Sequence, residues 1–223
     1  MSLIPVLAID GPSGVGKGTV ARIMAQKLGW HLLDSGAIYR AFALAVDARN
    51  IDVTDESALV EVANNLNLEF KTETDSELVS VYLDGKDVSK VLRTEQTGEM
   101  ASKIASIGVV RAALLKRQQA FAKSPGLVAD GRDMGTVVFA DSPFKVFLTA
   151  SAQERANRRL KQLQNQGSEG IISDILANVV ARDERDSSRK HSPLKPAKDA
   201  LIIDTTELSI DGVITQVSEL IKA

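Results

Sequence analysis

Gly11-Pro12-Ser13-Gly14-Val15-Gly16-Lys17-Gly18-Thr19 is the segment whose residue types are hardest to explain without chemistry. Gly11, Gly16 and Lys17 have the G-x-x-x-x-G-K spacing of a phosphate loop. Glycines let the backbone curl so that successive N–H groups converge on phosphate oxygens. A following helix adds its N-terminal partial positive charge. Lys17 then reaches the β- and γ-phosphates of a nucleoside triphosphate as a point charge. Gly18 follows the lysine where many such loops carry a hydroxyl, and the hydroxyl comes one residue later, at Thr19. The competing reading is an ordinary Gly/Pro-rich turn. The glycines with Lys17, directly after the apolar run Val6-Leu7-Ala8-Ile9-Asp10, favour phosphate.

Two further segments could hold a second anion. Asp34-Ser35-Gly36 ends a short apolar run, and ligands of open α/β sheets bind beyond the carboxyl ends of strands. Ser35 can donate to a phosphate, and Arg40, about a helical turn on, can fork two of its oxygens. A helix cap and a surface arginine are the plain alternative. Asp130-Gly131-Arg132-Asp133 follows another apolar run. Gly131 permits close backbone approach. Arg132 offers a second phosphate fork, and Asp133 an acceptor for an exocyclic amine such as cytosine N4. A structural salt bridge is the alternative here.

Six of the arginines, Arg155, Arg158, Arg159, Arg182, Arg185 and Arg189, fall in one stretch. Phosphoryl transfer spreads negative charge over the moving group, so a kinase needs cations around it. Gln164 to Gly170, polar and glycine-containing, suits a hinge or lid. Helix-face ion pairs with Glu154, Asp183 and Asp186 are the alternative for any single arginine.

The elements that must position these residues read as alternating strands and helices. Strands are expected at Val6–Asp10, His31–Asp34, Leu127–Asp130, Lys145–Leu148 and Leu201–Asp204. Helices are expected at Lys17–Leu28, ended by Gly29, and at Ile38–Val46, Ala152–Gln166 and Ile171–Glu184, with a last one from the N-cap Ser209 to Lys222. That alternation predicts a parallel sheet covered by helices on both faces. Between Ile51 and Arg93 the pattern changes. A helix near Ser57–Leu66 precedes alternating runs at Leu68–Lys71 and Leu78–Leu83 and an Asp84-Gly85 turn, which together predict a small antiparallel insertion. Helices over Glu95–Ile107 and Val109–Ala122 complete it.

Composition narrows the function classes. The 223 residues carry a net charge of −2 and 44% hydrophobic residues, ordinary values for a globular chain. No strong global attraction to nucleic acid or membrane follows from that charge. Aromatics make up only 4%, which argues against a base-stacking platform. The chain has no cysteine, hence no disulfide, thiolate metal site or thiol nucleophile, and this fits a reducing compartment. Apolar runs are strand-sized, and Met1-Ser2-Leu3-Ile4-Pro5 lacks a basic leader, so a cytoplasmic location is expected. His31 and His191 are far apart in sequence, and no zinc site is expected. Met24, Met100, Met134 and Trp30 read as packing residues.

The GKGT variant of the loop resembles that of the nucleoside monophosphate kinases. More narrowly, the chain resembles the bacterial cytidylate kinase family, with blocks in matching order from end to end. These are Gly11–Thr19, Leu33-Asp34-Ser35-Gly36-Ala37-Ile38-Tyr39-Arg40, Ala129 to Phe139, and Arg182-Asp183-Glu184-Arg185-Asp186-Ser187-Ser188-Arg189. Ala140 stands where the family pattern has proline. The resemblance implies one P-loop kinase domain over 1–223. Its core is about 1–35, 125–151 and 171–223, its monophosphate-binding insertion about 36–124 and its lid about 152–170. It implies in-line transfer of the γ-phosphate of ATP to CMP and dCMP, with magnesium carried on ATP. UMP and other small acceptors are the alternative substrates. Implied catalytic residues are Lys17, Arg132, Arg182 and Arg189. Implied ATP contacts are Gly11, Pro12, Ser13, Gly14, Val15, Gly16, Lys17, Gly18, Thr19, Arg155 and Arg158. Implied CMP contacts are Ser35, Arg40, Ser102, Arg111, Arg132, Asp133, Arg182, Asp186 and Arg189. Ser102 and Arg111 line the base pocket on this reading, Arg182 and Asp186 lie near the sugar, and Arg189 near phosphate. No protein metal cage, nucleic acid or membrane is implied, and the chain is expected to be a monomer. A GTP-dependent switch would need an N-K-x-D segment, which the sequence lacks. A P-loop ATPase or nucleic-acid motor would want a water-activating acid where Asp130 runs into Gly-Arg-Asp.

Overall fold

The computed structural model describes residues 4–72, 79–165, 167 and 169–222. The expected strand start at Leu78, and Gln166 and Ser168 of the expected lid, lie outside them. The chain divides into two compact units, one of Met1–Asp34 with Gln119–Ala223 and the other of Ser35–Gln118.

The first unit is built on a five-stranded sheet. Its strands are β1 (Val6–Asp10), β2 (His31–Asp34), β6 (Leu127–Gly131), β7 (Phe144–Thr149) and β8 (Leu201–Asp204), in the order β2-β6-β1-β7-β8. All its pairings are parallel. β1 is central and buried on both faces, which is why it reads as an unbroken apolar run. The helices of this unit are α1 (Lys17–Leu28), α7 (Ala152–Asn165), α8 (Ile172–Ser188) and α9 (Ile210–Lys222). Val20, Ala21 and Met24 of α1 and Val213, Ile214 and Val217 of α9 pack with Leu7, Ile9, Val128, Val146 and Leu148 in one core. Each fully buried aliphatic side chain there stabilises by about 1.5–3 kcal/mol. Gly29 ends α1 in the left-handed conformation, its N–H bonding back to the last turn. Trp30 packs flat on Gly126, where a Cβ would lie 2.4 Å from the indole.

The strand order reverses beside β1. β2 and β6 lie on one side and β7 and β8 on the other, so the carboxyl ends of β1 and β6 border the crevice where such sheets take ligands. After β6 the chain makes a π-helix, Met134–Val138, that the sequence pattern did not announce. Its i+5 bonds run from Val138 N–H to the Asp133 carbonyl at 3.1 Å and from Phe139 N–H to the Met134 carbonyl at 2.7 Å. Helix α8 continues to Ser188, beyond the expected end at Glu184, and this keeps Arg182, Asp183 and Asp186 on one helix.

The second unit holds α2 (Ser35–Ala48), α3 (Glu56–Asn64), β3 (Leu68–Thr72), β4 (Val79–Leu83), β5 (Lys86–Asp87), α4 (Ser89–Leu92), α5 (Glu95–Ile104) and α6 (Gly108–Gln119), the last residue of α6 belonging to the first unit. β3, β4 and β5 form the expected antiparallel sheet. Asp84 and Gly85 have φ of 50° and 76°, the two left-handed residues that a tight hairpin with right-handed twist requires. Ala41, Val81 and Leu92 form a small core with Leu68 and Phe70 against it. α2 begins at Ser35, three residues before the apolar periodicity.

Candidate active site

In the first unit the loop between β1 and α1 takes the conformation its glycines permit. Gly11, Gly14 and Gly16 have φ of 148°, 80° and 95°. A Cβ on Gly11 would sit 2.1 Å from the Leu148 carbonyl oxygen, so no other residue fits there. Lys17 is only 6% exposed. Its Nζ donates to the Pro12 carbonyl at 2.8 Å and lies 4.0 Å from Asp130 Oδ1. Burial and the charge of Arg132 pull the Lys17 ammonium well below the usual lysine range, and Asp130 opposes them. Burial likewise raises Asp130, against the pull of Lys17. A Cβ on Gly18 would come within 3.5 Å of Asp130 Oδ2, so this carboxylate faces the first turn of α1, where Thr19 stands next in the chain.

Asp10 is a buried residue beside the site that no motif of the sequence singles out. It ends an apolar strand and reads as part of it. It is 3% exposed, and its two carboxylate oxygens accept from the backbone N–H groups of Met134 and Gly135, each at 2.8 Å. These bonds tie the last residue of β1 to the segment that carries Arg132 and Asp133. Burial pushes the Asp10 carboxyl up to about 6, opposed by the two N–H donors and helped by the Asp133 charge. The one available signal was an acid directly before the first loop glycine.

Arg132 Nε donates to Asp186 Oδ2 at 2.9 Å, and Arg189 Nη1 lies 3.8 Å from Asp186 Oδ1. Asp186 is 4% exposed. Burial alone would raise it, but the charge and hydrogen bond of Arg132, with Arg189 and Arg182, hold it below the usual carboxylate range. Arg182 is on the same helix, and its charge acts on Lys17 as well. Asp133 is 2% exposed. Lys17, Asp130, Arg132, Arg182, Asp186 and Arg189 therefore form one connected field of charge.

Arg155 and Arg158, which the resemblance implies as ATP contacts, are both engaged with protein groups. Arg155 is 4% exposed and lies behind the loop. Nε donates to the Ala150 carbonyl and Nη1 to the Ser13 carbonyl, each at 3.2 Å, and the guanidinium forks the Asp183 carboxylate. Arg158 Nε bonds Glu154 at 2.9 Å, and its fork holds the side chain and carbonyl of Thr205, whose hydroxyl donates to the Val15 carbonyl at 3.2 Å. The ion-pair alternative is thus realised for both. Arg159 Nη1 reaches Gln162.

In the second unit Ser35 is buried and its hydroxyl donates to Gln118 Oε1 at 2.6 Å, not into an open space. Gln118 carried no signal in the sequence. Arg40 Nη1 donates to the Leu92 carbonyl at 3.0 Å. Arg111 Nη1 donates to the Ala105 carbonyl at 3.1 Å, and its guanidinium lies over the Tyr39 ring, 5.5 Å from the centroid. Ser102 is 7% exposed, and its hydroxyl has no hydrogen-bond partner among the described residues.

The family model for cytidylate kinase matches residues 7–223. The chain belongs to the cytidylate kinase family. Curated relatives agree over nearly full length. The cytidylate kinase of Shewanella frigidimarina is 52% identical over 217 residues, 97% of this chain and 95% of its own. That of Vibrio vulnificus is 53% identical over 222 residues, 100% of this chain and 97% of its own. Among solved structures, a gluconokinase from Sinorhizobium meliloti is a distant likeness at 13% identity and a TM-score of 0.46, covering 100% of this chain and 94% of that one. As a member of the cytidylate kinase family the chain is a phosphotransferase with a P-loop. No described helix is long and apolar enough to cross a membrane.

Proposed function

We infer that this chain transfers the γ-phosphate of ATP to CMP and dCMP, giving ADP and CDP or dCDP. The carrying observation is the turn Asp130-Gly131-Arg132-Asp133. It brings the Lys17–Asp130 pair of the phosphate loop beside the Arg132–Asp186–Arg189 network in one unit. The two families of residues suit two anions. The loop Gly11–Thr19 cradles the triphosphate, and Lys17 holds the charge that develops on the γ-phosphoryl group. Arg132, Arg182 and Arg189 neutralise the acceptor phosphate and the transferring group. Asp133 accepts from cytosine N4, and Asp186 with Arg182 meets the sugar. Ser35, Arg40, Ser102 and Arg111 of the second unit are the remaining CMP contacts on this reading.

Transfer is direct. The acceptor phosphate oxygen attacks the γ-phosphorus in line, that phosphorus–oxygen bond forms as the bond to the β-bridging oxygen breaks, and ADP leaves with the bonding pair. No side chain needs to become a nucleophile. The residues fit a magnesium ion carried by ATP. Asp130, a partly exposed carboxylate beside the loop, is a hard-oxygen ligand of the kind that suits magnesium on phosphates. Asp130 would hold the ion, and when bound it would neutralise the β- and γ-phosphate oxygens. On the same reading the chain acts on these small molecules as a cytoplasmic monomer, without nucleic acid or membrane.

A coupled ADP-release assay over CMP, dCMP, UMP and AMP, each with ATP, tests the reading. Turnover is expected to be fastest with CMP and dCMP. Faster turnover with UMP or AMP overturns the acceptor assignment and leaves the phosphotransferase intact.

A further inference from the structure

We infer that Arg155 is a positioning residue, a strut that fixes the phosphate loop to helix α8, and not a ligand of the nucleotide. The inference deepens the kinase reading above and rests on it for the choice of substrates.

Its guanidinium is committed on every side. It bonds the Ala150 carbonyl at the end of β7, the Ser13 carbonyl in the loop and both oxygens of Asp183 on α8. With 4% exposure it has little surface left to offer a ligand. The loop also rests on its stem. A Cβ on Gly14 would lie 3.1 Å from Arg155 Cβ, at a φ of +80°. One turn along α7, Arg158 grips Thr205, which in turn bonds Val15. Ser13, Gly14 and Val15 are therefore each backed by α7 or by a residue that α7 holds.

Asp183 gives the strut its second end. It sits between Arg182, whose charge reaches Lys17, and Asp186, which pairs with Arg132. One arginine thus joins the carbonyl side of the phosphate loop to the helix carrying the acceptor-side charges. Guanidinium geometry suits this task, because a planar fork bonds a carboxylate bidentately while keeping another N–H for a carbonyl. Lysine keeps the charge and cannot span the three partners.

The test is a mutant cycle on the intact chain with Arg155→Lys, Asp183→Asn and the double variant. Asp183 is a carboxylate and would repel a nucleotide phosphate, so it has no direct role in holding one. Expected is a fall in kcat of about 100-fold for Asp183→Asn, the scale on which small misplacements of a reacting group act. Arg155→Lys should fall by a similar factor, and the double variant should be no worse than either single one. Rates are compared well below each variant's melting temperature, so that loss of fold is separated from loss of position. ADP affinity by calorimetry, which needs no acceptor, should drop only a few-fold in all three. If Asp183→Asn keeps wild-type kcat while Arg155→Lys loses ADP affinity in proportion to activity, Arg155 touches the nucleotide and the strut is wrong. Failure of the kinase reading would show separately, as absence of CMP turnover in the unmodified chain. Should Arg155→Lys fail to fold, Asp183→Asn alone decides through the same two readouts, since Asp183 is partly exposed.

Discussion

At the carboxyl ends of β1 and β6, Asp10 and Lys17 are buried and Asp130 is partly buried, and desolvation is the largest influence on each of them. On α8, Asp186 is equally buried, yet it stays below the usual carboxylate range because Arg132, Arg189 and Arg182 surround it. The contrast comes from neighbouring charge, since Asp10 accepts only from neutral N–H groups. Lys17 has one carbonyl bond and a carboxylate at 4.0 Å, whereas Asp186 accepts directly from a guanidinium at 2.9 Å. Around Lys17 the charge awaits a partner, and a polyanion in the loop would supply it. Around Asp186 the pairing already exists, and an arriving anion would share cations that are in place. On the proposed reading the loop cluster serves the chemistry that changes charge, and the α8 cluster holds a charged acceptor still.

The largest effect should come from breaking the first cluster. Lys17→Met is expected to cut kcat by about 1,000-fold or more with a much smaller change in KM for ATP, because the developing charge is what the ammonium stabilises. Near-normal turnover would remove Lys17 from the reaction. Asp133, whose charge acts on Asp10, should respond in discrimination more than in raw turnover. Asp133→Ala is expected to lower kcat/KM for CMP by about 100-fold and that for UMP much less, since a carboxylate built for an amine repels the uracil carbonyl. Arg132→Ala should lower both acceptors alike if, as proposed, it holds phosphate. Equal losses for CMP and UMP in Asp133→Ala would mean that Asp133 does not read the base.

Proton linkage sharpens the contrast further. With its ammonium pulled down by burial, Lys17 should take up a proton when ADP enters at pH 8, because the phosphates favour the charged form. Calorimetry of ADP binding in buffers of different ionisation enthalpy reads this directly, and Lys17→Met should abolish it. No buffer dependence in the unmodified chain would contradict the account of a charge awaiting its partner.

The smallest effect concerns Asp10. Its folded value, about 6, lies above the ordinary carboxylate value, so the folded chain holds the proton more tightly than the unfolded one. Its contribution to stability is complete below the ordinary value and is lost as pH rises through about 6. Between pH 5 and pH 7.5 that loss amounts to about 1 kcal/mol. Asp10→Asn removes the titration, so its stability relative to the unmodified chain should improve by that amount over the same interval. Urea unfolding at the two pH values measures it. A difference that is independent of pH would mean that Asp10 is not held up by burial.

Elements whose signal is local are legible in the order of residues alone. An apolar run, four glycines and a lysine required a strand, a phosphate loop and a helix, and Gly29, Asp84 and Gly85 marked their turns because a left-handed backbone favours those residues. Matching blocks carried the candidate residues from Lys17 to Arg189. Which charges meet depends on how the folded chain packs. Asp10 reaches Met134 and Gly135 across more than a hundred residues of chain, Arg155 turns inward to Ser13 and Asp183, and Ser35 spends its hydroxyl on Gln118. The π-helix after β6, to which Asp10 is bonded, belongs to the same class. Strand pairing and helix packing bring these partners together, and no local periodicity encodes which carboxylate a buried guanidinium will find.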